Sequence, residues 1–343
     1  MKIGRLNEEL QHIILENKKF CLFKLPFQKK INLYAENSLN HSEKGFVINN
    51  FENTKKHYIY PEVKLTFSPS EYDKDNPIDL KKINNQRKET YSTYLLKIHY
   101  LQTIEKAISL LNNQLTKVVI GRKIKWQNNS FNELNHFIKL CDNFSSFSYL
   151  IYIPNTLCWI GSTPELLLKY KNKKLTTVSL AGTKKKSEEW SEKEFEEQKI
   201  VTKYIENLAI QNNIITKISP TKTFLINNKF DHLKTIINSL GSINFNKALN
   251  FLNKLHPTPA ICGLPKEEAI EIIKKLEKED RSFYTGYIGI QEKDNLELYV
   301  NIRCASVYND FLDVYVGSGI TKKSIPTKEW EETELKSKTI IFD

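Results

Sequence analysis

Residues 166–180 have the sequence Leu-Leu-Leu-Lys-Tyr-Lys-Asn-Lys-Lys-Leu-Thr-Thr-Val-Ser-Leu, with two apolar or β-branched runs around the polar segment Lys171-Asn172-Lys173. Asn is typical of turns because its side chain bonds to nearby backbone and tolerates the left-handed conformation. Two strand-forming runs joined by such a turn predict a β-hairpin. The two strands of a hairpin are antiparallel neighbours, so the fold is expected to contain an antiparallel sheet.

Further strands and helices are predicted on both sides of this hairpin. Runs of β-branched and aromatic residues predict strands at residues 117–122, 147–153, 287–290, 296–307 and 311–316. Apolar residues at helical spacing predict helices at residues 91–111, 191–212 and 266–278, and from 327 to the C-terminus. The segment 68–85, rich in Pro, Asp, Asn and Lys, predicts a long loop. This order of elements indicates an α+β fold with a largely antiparallel sheet.

Composition excludes several classes of protein. In the 343 residues, 40% are hydrophobic and 27% charged, which is an ordinary globular balance and argues against wholesale disorder. No run of eighteen apolar residues is present, so a transmembrane helix is not expected. The N-terminal residues lack the apolar core of a secretory signal. The length alone suggests about two domains or one large α/β unit.

The charge and the cysteines bear on partners and compartment. The chain has 51 Lys+Arg against 40 Asp+Glu, a net charge of +11, but the lysines are scattered along a sequence rich in Lys, Asn and Ile. Such a bias does not by itself indicate a nucleic-acid-binding face. Five cysteines without a C-x-x-C pair favour a reducing compartment over a disulfide framework or a structural zinc. We therefore expect a cytoplasmic enzyme.

Two carboxylates lie on helix faces where the pattern favours an apolar residue. Glu197 precedes the predicted buried stripe formed by Ile200, Val201, Tyr204, Ile205 and Leu208. An inward carboxylate needs a partner or a metal, but the spacing alone favours the simpler explanation that Glu197 lies in the first turn with access to solvent. Glu332 and Lys336 are four residues apart, and the spacing alone favours an exposed ion pair worth about 0.3–0.5 kcal/mol.

Three short motifs are weak signals when taken singly. Gly317-Ser318-Gly319 and Ala181-Gly182-Thr183 each belong to a predicted strand end and could bring backbone N–H groups close to an anion. In His256-Pro257-Thr258-Pro259 two prolines restrict the backbone around a His and a Thr. A structural turn with a packed His explains that segment as well as a ligand does.

Together and in this order, the motifs resemble the chorismate-utilising enzymes, and among them the isochorismate synthases. The resemblance extends from about residue 91 to the C-terminus and rests on eight ordered segments: Lys117-Val-Val-Ile-Gly-Arg122, Trp159-Ile-Gly-Ser-Thr-Pro-Glu165, Leu180-Ala-Gly-Thr183, Leu255-His-Pro-Thr-Pro-Ala260 with Gly263, Arg281-Ser-Phe-Tyr-Thr-Gly286, Val300-Asn-Ile-Arg-Cys-Ala305, Gly317-Ser-Gly-Ile320 and Glu329-Trp-Glu-Glu332 with Lys336. Residues 1–90 match poorly, as the variable N-terminal part of the family does.

The resemblance implies an acid and a base. In this family, water adds at C2 of chorismate while the C4 hydroxyl leaves, which requires a base for the water and an acid for the hydroxyl. Lys117 matches the general base and would need a pKa below its usual value of about 10.4. Glu165 matches the general acid and would need a pKa above its usual value of about 4.3.

The resemblance also implies a metal and substrate-binding residues. Glu197 and Glu332 match two Mg²⁺ ligands, which would explain their inward positions. The substrate-binding positions of the family are matched by Gly182, Thr183, His256, Ala260, Tyr284, Arg303, Gly317, Gly319 and Lys336.

The branch of the family depends on a few positions. Lys117 favours water as the nucleophile, whereas anthranilate synthases, which use ammonia, resemble each other in having Gln there. Ala260 is similar to isochorismate synthases, whereas salicylate and anthranilate synthases usually have Thr. The chain departs from the family pattern at four positions, where Lys186, Gln198, Ser282 and Ser318 replace the usual Arg, His, Gly and Ala. These departures concern rate and specificity more than the class of reaction.

We therefore expect an isomerase, a Mg²⁺-dependent isochorismate synthase that serves menaquinone biosynthesis. The expected fold is the large, sandwich-like α+β fold of the family, with residues 1–90 as a variable segment integrated with it and residues 91–343 as the catalytic domain. The expected partner is chorismate, without nucleic acid, membrane or glutamine amidotransferase, and the protein is expected to be a monomer. The alternatives are a salicylate synthase or, from another class, a basic nucleic-acid-binding protein or an inactive relative.

Overall fold

The computed structural model describes residues 4–36, 45–80, 93–127, 131–186, 188–225, 230–309 and 311–342. Seven α-helices lie in this described part: α1 (Arg5–Leu15), α2 (Thr93–Leu110), α3 (Glu133–Cys141), α4 (Glu192–Gln211), α5 (Phe245–Leu255), α6 (Lys266–Leu276) and α7 (Pro326–Ser337). None of these described helices is long and apolar enough to cross a lipid bilayer.

The same part of the chain forms eighteen strands: β1 (Phe20–Lys24), β2 (Ile31–Glu36), β3 (Gly45–Asn49), β4 (Lys56–Ile59), β5 (Pro61–Phe67), β6 (Lys117–Trp126), β7 (Phe147–Ile153), β8 (Leu157–Thr163), β9 (Leu166–Lys171), β10 (Lys174–Lys185), β11 (Thr216–Ile218), β12 (Lys222–Leu225), β13 (Phe230–Ser239), β14 (Gly263–Leu264), β15 (Tyr287–Glu292), β16 (Asn295–Val300), β17 (Cys304–Val307) and β18 (Leu312–Ile320).

The strands form two large antiparallel sheets. The first has the order β14-β6-β18-β17-β8-β7-β1-β2-β5, and the second has the order β11-β13-β10-β9-β16-β15-β3-β4, with β12 also paired to β13. Strands β1, β2 and β5 from the N-terminal region pair in the first sheet, and β3 and β4 in the second. The expected α+β class with extended antiparallel sheets is confirmed.

The predicted hairpin at residues 166–180 is present as β9 and β10, which pair from Lys174 opposite Lys171. Its turn residues Asn172 and Lys173 have φ values of 53° and 60°, so both take the left-handed conformation. The four predicted helices are present as α2, α4, α6 and α7, but the prediction of a helix from 327 to the C-terminus is too long, because α7 ends at Ser337. The predicted long strand at 296–307 is wrong in one respect, because it is two strands, β16 and β17, that belong to different sheets.

Apolar side chains fill the space between the sheets and cover their outer faces. Between the sheets, the ring of Phe147 on β7 stacks on that of Tyr299 on β16, with centroids 4.4 Å apart. On the outside, α1 and α3 pack on the first sheet, and α4 and α5 on the second. Helices α2, α6 and α7 pack around β6 at one edge of the first sheet. All five cysteines are buried free thiols within these layers.

The chain passes between the two sheets at two neighbouring places. Pro164 and Glu165 join β8 of the first sheet to β9 of the second, and residues 301–303 join β16 of the second sheet to β17 of the first. The two crossings are hydrogen-bonded, since the Val300 N–H donates to the Glu165 carbonyl oxygen at 2.9 Å. Side chains at these crossings lie between the sheets rather than on either outer face.

Candidate active site

A cavity with an empty volume of about 810 Å³ lies beside these crossings. Both sheets contribute to its wall, together with α4, α7 and the segments before β14 and β15. Eleven of the thirteen predicted site residues line it, namely Lys117, Glu165, Gly182, Glu197, Ala260, Tyr284, Arg303, Gly317, Gly319, Glu332 and Lys336. Residues distant in sequence are therefore brought to one place.

Glu165 is a buried carboxyl group on the crossing from β8 to β9. Its side chain is held in the cavity wall because its flanking residues are fixed by the two sheets, and only 5% of it is exposed. Burial raises the pKa of Glu165 to about 7, although Arg303, Lys117 and Lys336 favour the charged form and oppose the shift. A carboxyl group with this pKa holds its proton in a large fraction of molecules at neutral pH.

Lys117 is the first residue of β6 and is almost completely buried. Its Nζ lies 3.9 Å from Glu197 Oε2, so it contacts the carboxylate that α4 brings to the cavity. The opposite wall is the glycine-containing end of β18. A Cβ atom at Gly319 would lie 2.9 Å from Lys117 Cε and 3.3 Å from its Nζ. The absence of a side chain at Gly319 therefore makes room for the lysine.

Glu197 and Glu332 approach the cavity from α4 and α7. Glu197 lies in the second turn of its helix, because α4 begins at Glu192, and only 15% of its side chain is exposed. Glu332 forms the ion pair with Lys336 that its spacing indicates, at 2.6 Å, and about a third of each side chain is exposed. Lys336 also donates to the Gly317 carbonyl oxygen at 2.9 Å. The ion pair that the spacing of Glu332 and Lys336 indicates is therefore part of the cavity wall.

The two carboxylates fit a hard divalent cation in their donor chemistry. Each lies beside a lysine, since Glu197 Oε2 is 3.9 Å from Lys117 Nζ and Glu332 Oε1 is 2.6 Å from Lys336 Nζ. Among the described residues, no group of three or more His, Cys, Asp or Glu is placed to hold a metal ion. Mg²⁺ is commonly bound by one or two protein carboxylates, while water molecules and an anionic ligand fill its other coordination positions.

Arg303 is a buried cation on the second crossing, and a histidine missed in the sequence analysis contacts it. Arg303 has a φ of 53°, a left-handed conformation that is uncommon for residues other than glycine. Its Nη2 lies 2.8 Å from His232 Nε2, while His232 Nδ1 lies 2.9 Å from the Gly182 carbonyl oxygen. Burial lowers the pKa of His232 well below its usual value, and Arg303 adds to the shift.

His232 is therefore neutral, with Nδ1 donating to the Gly182 carbonyl and Nε2 accepting from Arg303. The Nε atom of Arg303 is buried without a hydrogen-bond partner. Since an orphaned guanidinium N–H is costly, this atom is suited to an anionic ligand. No signal in the sequence singled out His232, because it lies in a strand of ordinary alternation.

Gly182 and Gly317 allow close approach of neighbouring groups. Gly182 lies at a bulge in the pairing of β10 with β13, with a φ of 71°, and a Cβ there would lie 2.9 Å from Glu194 Cβ on α4. A Cβ at Gly317 would lie 2.8 Å from the Tyr284 hydroxyl oxygen. The Tyr284 ring is held in place by stacking on Tyr315, at 5.5 Å between centroids.

Two predicted site residues are not placed in the cavity wall. His256 lies outside it: its Nε2 is 3.0 Å from the Phe51 carbonyl oxygen, and its ring packs edge-on against Tyr287 at 5.2 Å. The structural turn considered for residues 256–259 is therefore what the structure shows for His256, and its predicted role in substrate binding is not supported by its position. The side chain of Thr183 lies outside the described part of the structure, although its backbone pairs opposite His232.

Two of the departures from the family pattern are explained locally. Ser282 has a φ of 51°, a conformation in which glycine is usual. Ser318 lines the cavity and its hydroxyl lies 3.1 Å from that of Tyr100 on α2. The Tyr100 hydroxyl donates to the Ile120 carbonyl oxygen at 3.1 Å, so Ser318 ties β18 to a helix that packs beside β6.

Comparison with known proteins agrees with this geometry. Residues 51–342 match the family model described as chorismate binding enzyme. A vibriobactin-specific isochorismate synthase of Vibrio cholerae serotype O1 is 30% identical over 264 residues, which cover 71% of this chain and 65% of that protein. The chain thus spans slightly less than two thirds of the length of this curated relative.

Solved structures share the fold. MenF, the menaquinone-specific isochorismate synthase from Escherichia coli, has a TM-score of 0.78 at 19% identity, covering 95% of this chain and 89% of that chain. DhbC from Bacillus anthracis, described as a 2,3-dihydroxybenzoate-specific isochorismate synthase, has a TM-score of 0.76 at 22% identity, covering 96% and 98%. Because the family model matches most of the chain and the fold is shared throughout, the chain belongs to the chorismate binding enzyme family.

Proposed function

We propose that this protein is an isochorismate synthase, which converts chorismate to isochorismate with the help of Mg²⁺. The observation that carries the proposal is that one cavity contains both Lys117, on β6 of the first sheet, and Glu165, a carboxyl group of raised pKa on the crossing to the second sheet. An acid and a base held at separate points of one site suit a reaction that adds water at one ring carbon and removes hydroxide at another.

In the proposed reaction, Lys117 in its neutral form takes a proton from water as the water oxygen adds to C2 of chorismate. Glu165 gives its proton to the C4 hydroxyl, which leaves as water while the ring double bonds shift. The base is thus left protonated and the acid deprotonated, and a proton returns from one to the other through solvent. Isomerisation requires no redox partner and no ammonia, so it needs no amidotransferase subunit.

The charges of the cavity support a dianionic substrate. Arg303 and Lys336 bring basic side chains to the cavity, and Glu165, whose pKa is raised to about 7, holds its proton in a large fraction of molecules at neutral pH. Arg303 with its unpartnered Nε and Lys336 would bind one substrate carboxylate. Glu197 and Glu332 would hold Mg²⁺, which supplies positive charge for the other carboxylate when bound.

The proposal extends to the pathway, for which we expect menaquinone biosynthesis. The relatives include both menaquinone-specific and siderophore-specific proteins, and isochorismate is the product that the proposal shares with both. Expression of this chain in two bacterial strains lacking isochorismate synthase, one requiring menaquinone and one requiring a catechol siderophore, tests the assignment. Rescue of the siderophore strain alone would contradict it.

The reaction itself is tested by product analysis. Purified protein is incubated with chorismate and Mg²⁺, and the products are separated by chromatography. We expect isochorismate, formed only with the divalent cation and lost with EDTA. Salicylate and pyruvate appearing without a separate lyase would favour the salicylate synthase alternative, and unchanged chorismate would contradict the proposal.

The pH dependence of turnover follows from the pKa of Glu165. The acid must be protonated to act, and its pKa is raised to about 7, so activity is present below that value and is lost as pH rises through it. In the pH range where Lys117 is neutral, we expect kcat/KM to fall about tenfold for each pH unit above 7. The measurement covers pH 6 to 9, with thermal unfolding recorded at each pH to exclude loss of the fold. A profile that rises through pH 8 would contradict the combination of a protonated Glu165 with a neutral Lys117.

Gly319→Ala is expected to lower kcat because the new Cβ would lie 2.9 Å from Lys117 Cε and displace the base. The lysine end can move, so the melting temperature should change little, whereas a displacement of about 1 Å can cost about 100-fold in rate. Gly241→Ala is the control, because a Cβ there would meet nothing within 4 Å. Equal kcat in the two variants would show that Lys117 needs no such placement.

A further inference from the structure

Gln198 is a buried amide that ties α4 to the second sheet. Only 2% of the residue is exposed, and it follows directly after Glu197, whose carboxylate lines the cavity. Its Oε1 accepts from the Ala181 N–H at 2.8 Å. Its Nε2 donates to the Ser179 carbonyl oxygen at 3.0 Å and to Thr235 Oγ1 at 2.9 Å. One side chain therefore contacts both β10 and β13.

These contacts lie at the bulge that brings Gly182 into the cavity. The pairing of β10 with β13 shifts register between Ala181 and Thr183. A bulge disturbs the regular ladder of backbone hydrogen bonds, and here the Ala181 N–H has a side chain as its acceptor. Gln198 is thus bonded to the backbone immediately before Gly182, while His232 bonds to the Gly182 carbonyl oxygen itself.

The same side chain also fixes the position of α4. The first turns of α4 pack closely on the bulge, where a Cβ at Gly182 would lie 2.9 Å from Glu194 Cβ. Gln198 bonds α4 to β10 and β13 beside the bulge, and Glu197 is the residue directly before it on the helix. An amide both accepts and donates two hydrogen bonds, which a neutral imidazole cannot do.

We propose that Gln198 is a positioning residue that sets the geometry between the Glu197 carboxylate and the Gly182 bulge, and thereby the affinity of the site for Mg²⁺ with bound chorismate. This inference rests on the proposed function and deepens it. It also gives a role to a position where the chain departs from its family, because the amide replaces a His and does not titrate. Groups that orient a metal ligand typically affect metal affinity or activity about 10- to 100-fold.

The test compares Q198M, which keeps the length of the side chain without its hydrogen bonds, with T202V. Thr202 lies one turn further along α4, and its Oγ1 donates to Ser179 Oγ at 3.0 Å and to the Gln198 carbonyl oxygen at 2.9 Å. T202V therefore removes neighbouring hydrogen bonds but none of the three made by the Gln198 side chain. Both substitutions are made in the E165Q protein, which is expected to bind chorismate without converting it. Isothermal titration calorimetry then measures the Kd for Mg²⁺ at saturating chorismate.

We expect Q198M to raise the Kd for Mg²⁺ at least about tenfold and T202V to leave it within twofold. A Q198M Kd within twofold of its parent, or an equal loss in T202V, would overturn the proposal. If Q198M does not fold, T235V is measured instead, because it removes the acceptor of one of the three Gln198 hydrogen bonds. A Kd for Mg²⁺ that rises more than twofold in T235V supports the proposal, and an unchanged Kd overturns it. Failure of the proposed function would appear separately, as absence of isochorismate with the unsubstituted protein.

Discussion

Replacing Glu165 with glutamine is expected to lower kcat by about 10²–10⁴-fold, the usual contribution of a general acid. Glutamine has nearly the same size and fits the same crossing between the sheets, but it cannot give a proton to a leaving hydroxyl. Single-turnover and steady-state rates measure the loss, and calorimetry measures chorismate binding, which we expect to change little. Retention of more than a tenth of kcat would show that another group supplies the proton.

The control for this substitution is Glu297→Gln. Glu297 lies on β16 of the second sheet, where it accepts from the Tyr299 hydroxyl at 2.6 Å and pairs with Lys169 at 2.8 Å, and it does not line the cavity. Glu297→Gln should leave kcat within about twofold of the original. A loss there equal to that in Glu165→Gln would trace both effects to the fold rather than to the acid.

A second measurement on Glu165→Gln depends only on the folded protein. The pKa of Glu165 is about 7 in the folded state and 4.5 as the reference value, so the folded state holds the proton more tightly. Its contribution to stability is fully present below pH 4.5 and is lost as pH rises to 7. The loss is about 3 kcal/mol, which corresponds to about 4 °C in melting temperature for a chain of this size. From pH 5 to pH 8, the melting temperature of Glu165→Gln should therefore rise relative to that of the unsubstituted protein.

Local patterns predicted the elements of the fold well, because their causes are local. The helix at residues 191–212 is α4, and it begins as its sequence indicates, since Ser191 and Glu194 form a capping box. The hairpin around Asn172 is also formed by nearby residues. The strand break near residue 303 could not be predicted, because Arg303 takes its left-handed φ only where the chain changes sheets.

The residues of the site also differ in whether the sequence could predict them. Motif resemblance brought together Lys117, Glu165 and Arg303, which are far apart in sequence, but it could not find His232, whose importance comes from its contacts with Arg303 and Gly182. His256 shows the opposite case. It belongs to a motif with two prolines, yet its ring packs on Tyr287 and its Nε2 lies 3.0 Å from the Phe51 carbonyl oxygen. Contacts across the sheets, rather than the motif, decide which histidine reaches the cavity.

The two crossings explain why the acid has its raised pKa. A chain that stays within one sheet exposes alternate side chains to an outer face, whereas Glu165 lies between the two sheets and is screened from water by both. Desolvation is the largest cause of its pKa shift and outweighs three nearby cations. Those cations stay close enough to bind an anionic substrate without removing the proton. The same topology therefore provides both the buried carboxyl group of raised pKa and the basic side chains around it.

Lys117→Ala is expected to abolish turnover to a similar degree, about 10²–10⁴-fold, because water at C2 would lose its base. The substitution leaves a buried space beside Gly319 and removes the side chain that lies 3.9 Å from the Glu197 carboxylate. Calorimetry with Mg²⁺ therefore measures metal binding separately. Lys125→Ala is the control, since Lys125 lies on the same strand but contacts the Phe311 ring, with Nζ 4.3 Å from the centroid, away from the cavity.

Comparison of Lys117→Ala with Lys117→Arg separates a role of Lys117 as the base from a role as a positive charge. If Lys117 acts only as a cation, Lys117→Arg should keep the charge and most of the activity; if it acts as the base, arginine should fail as alanine does, because a guanidinium stays protonated. We expect the second result, with kcat of Lys117→Arg below about a hundredth of the original. High activity in Lys117→Arg would leave Glu165 as the acid but move the role of base to another group, since only a side chain that can lose its proton can accept one from water.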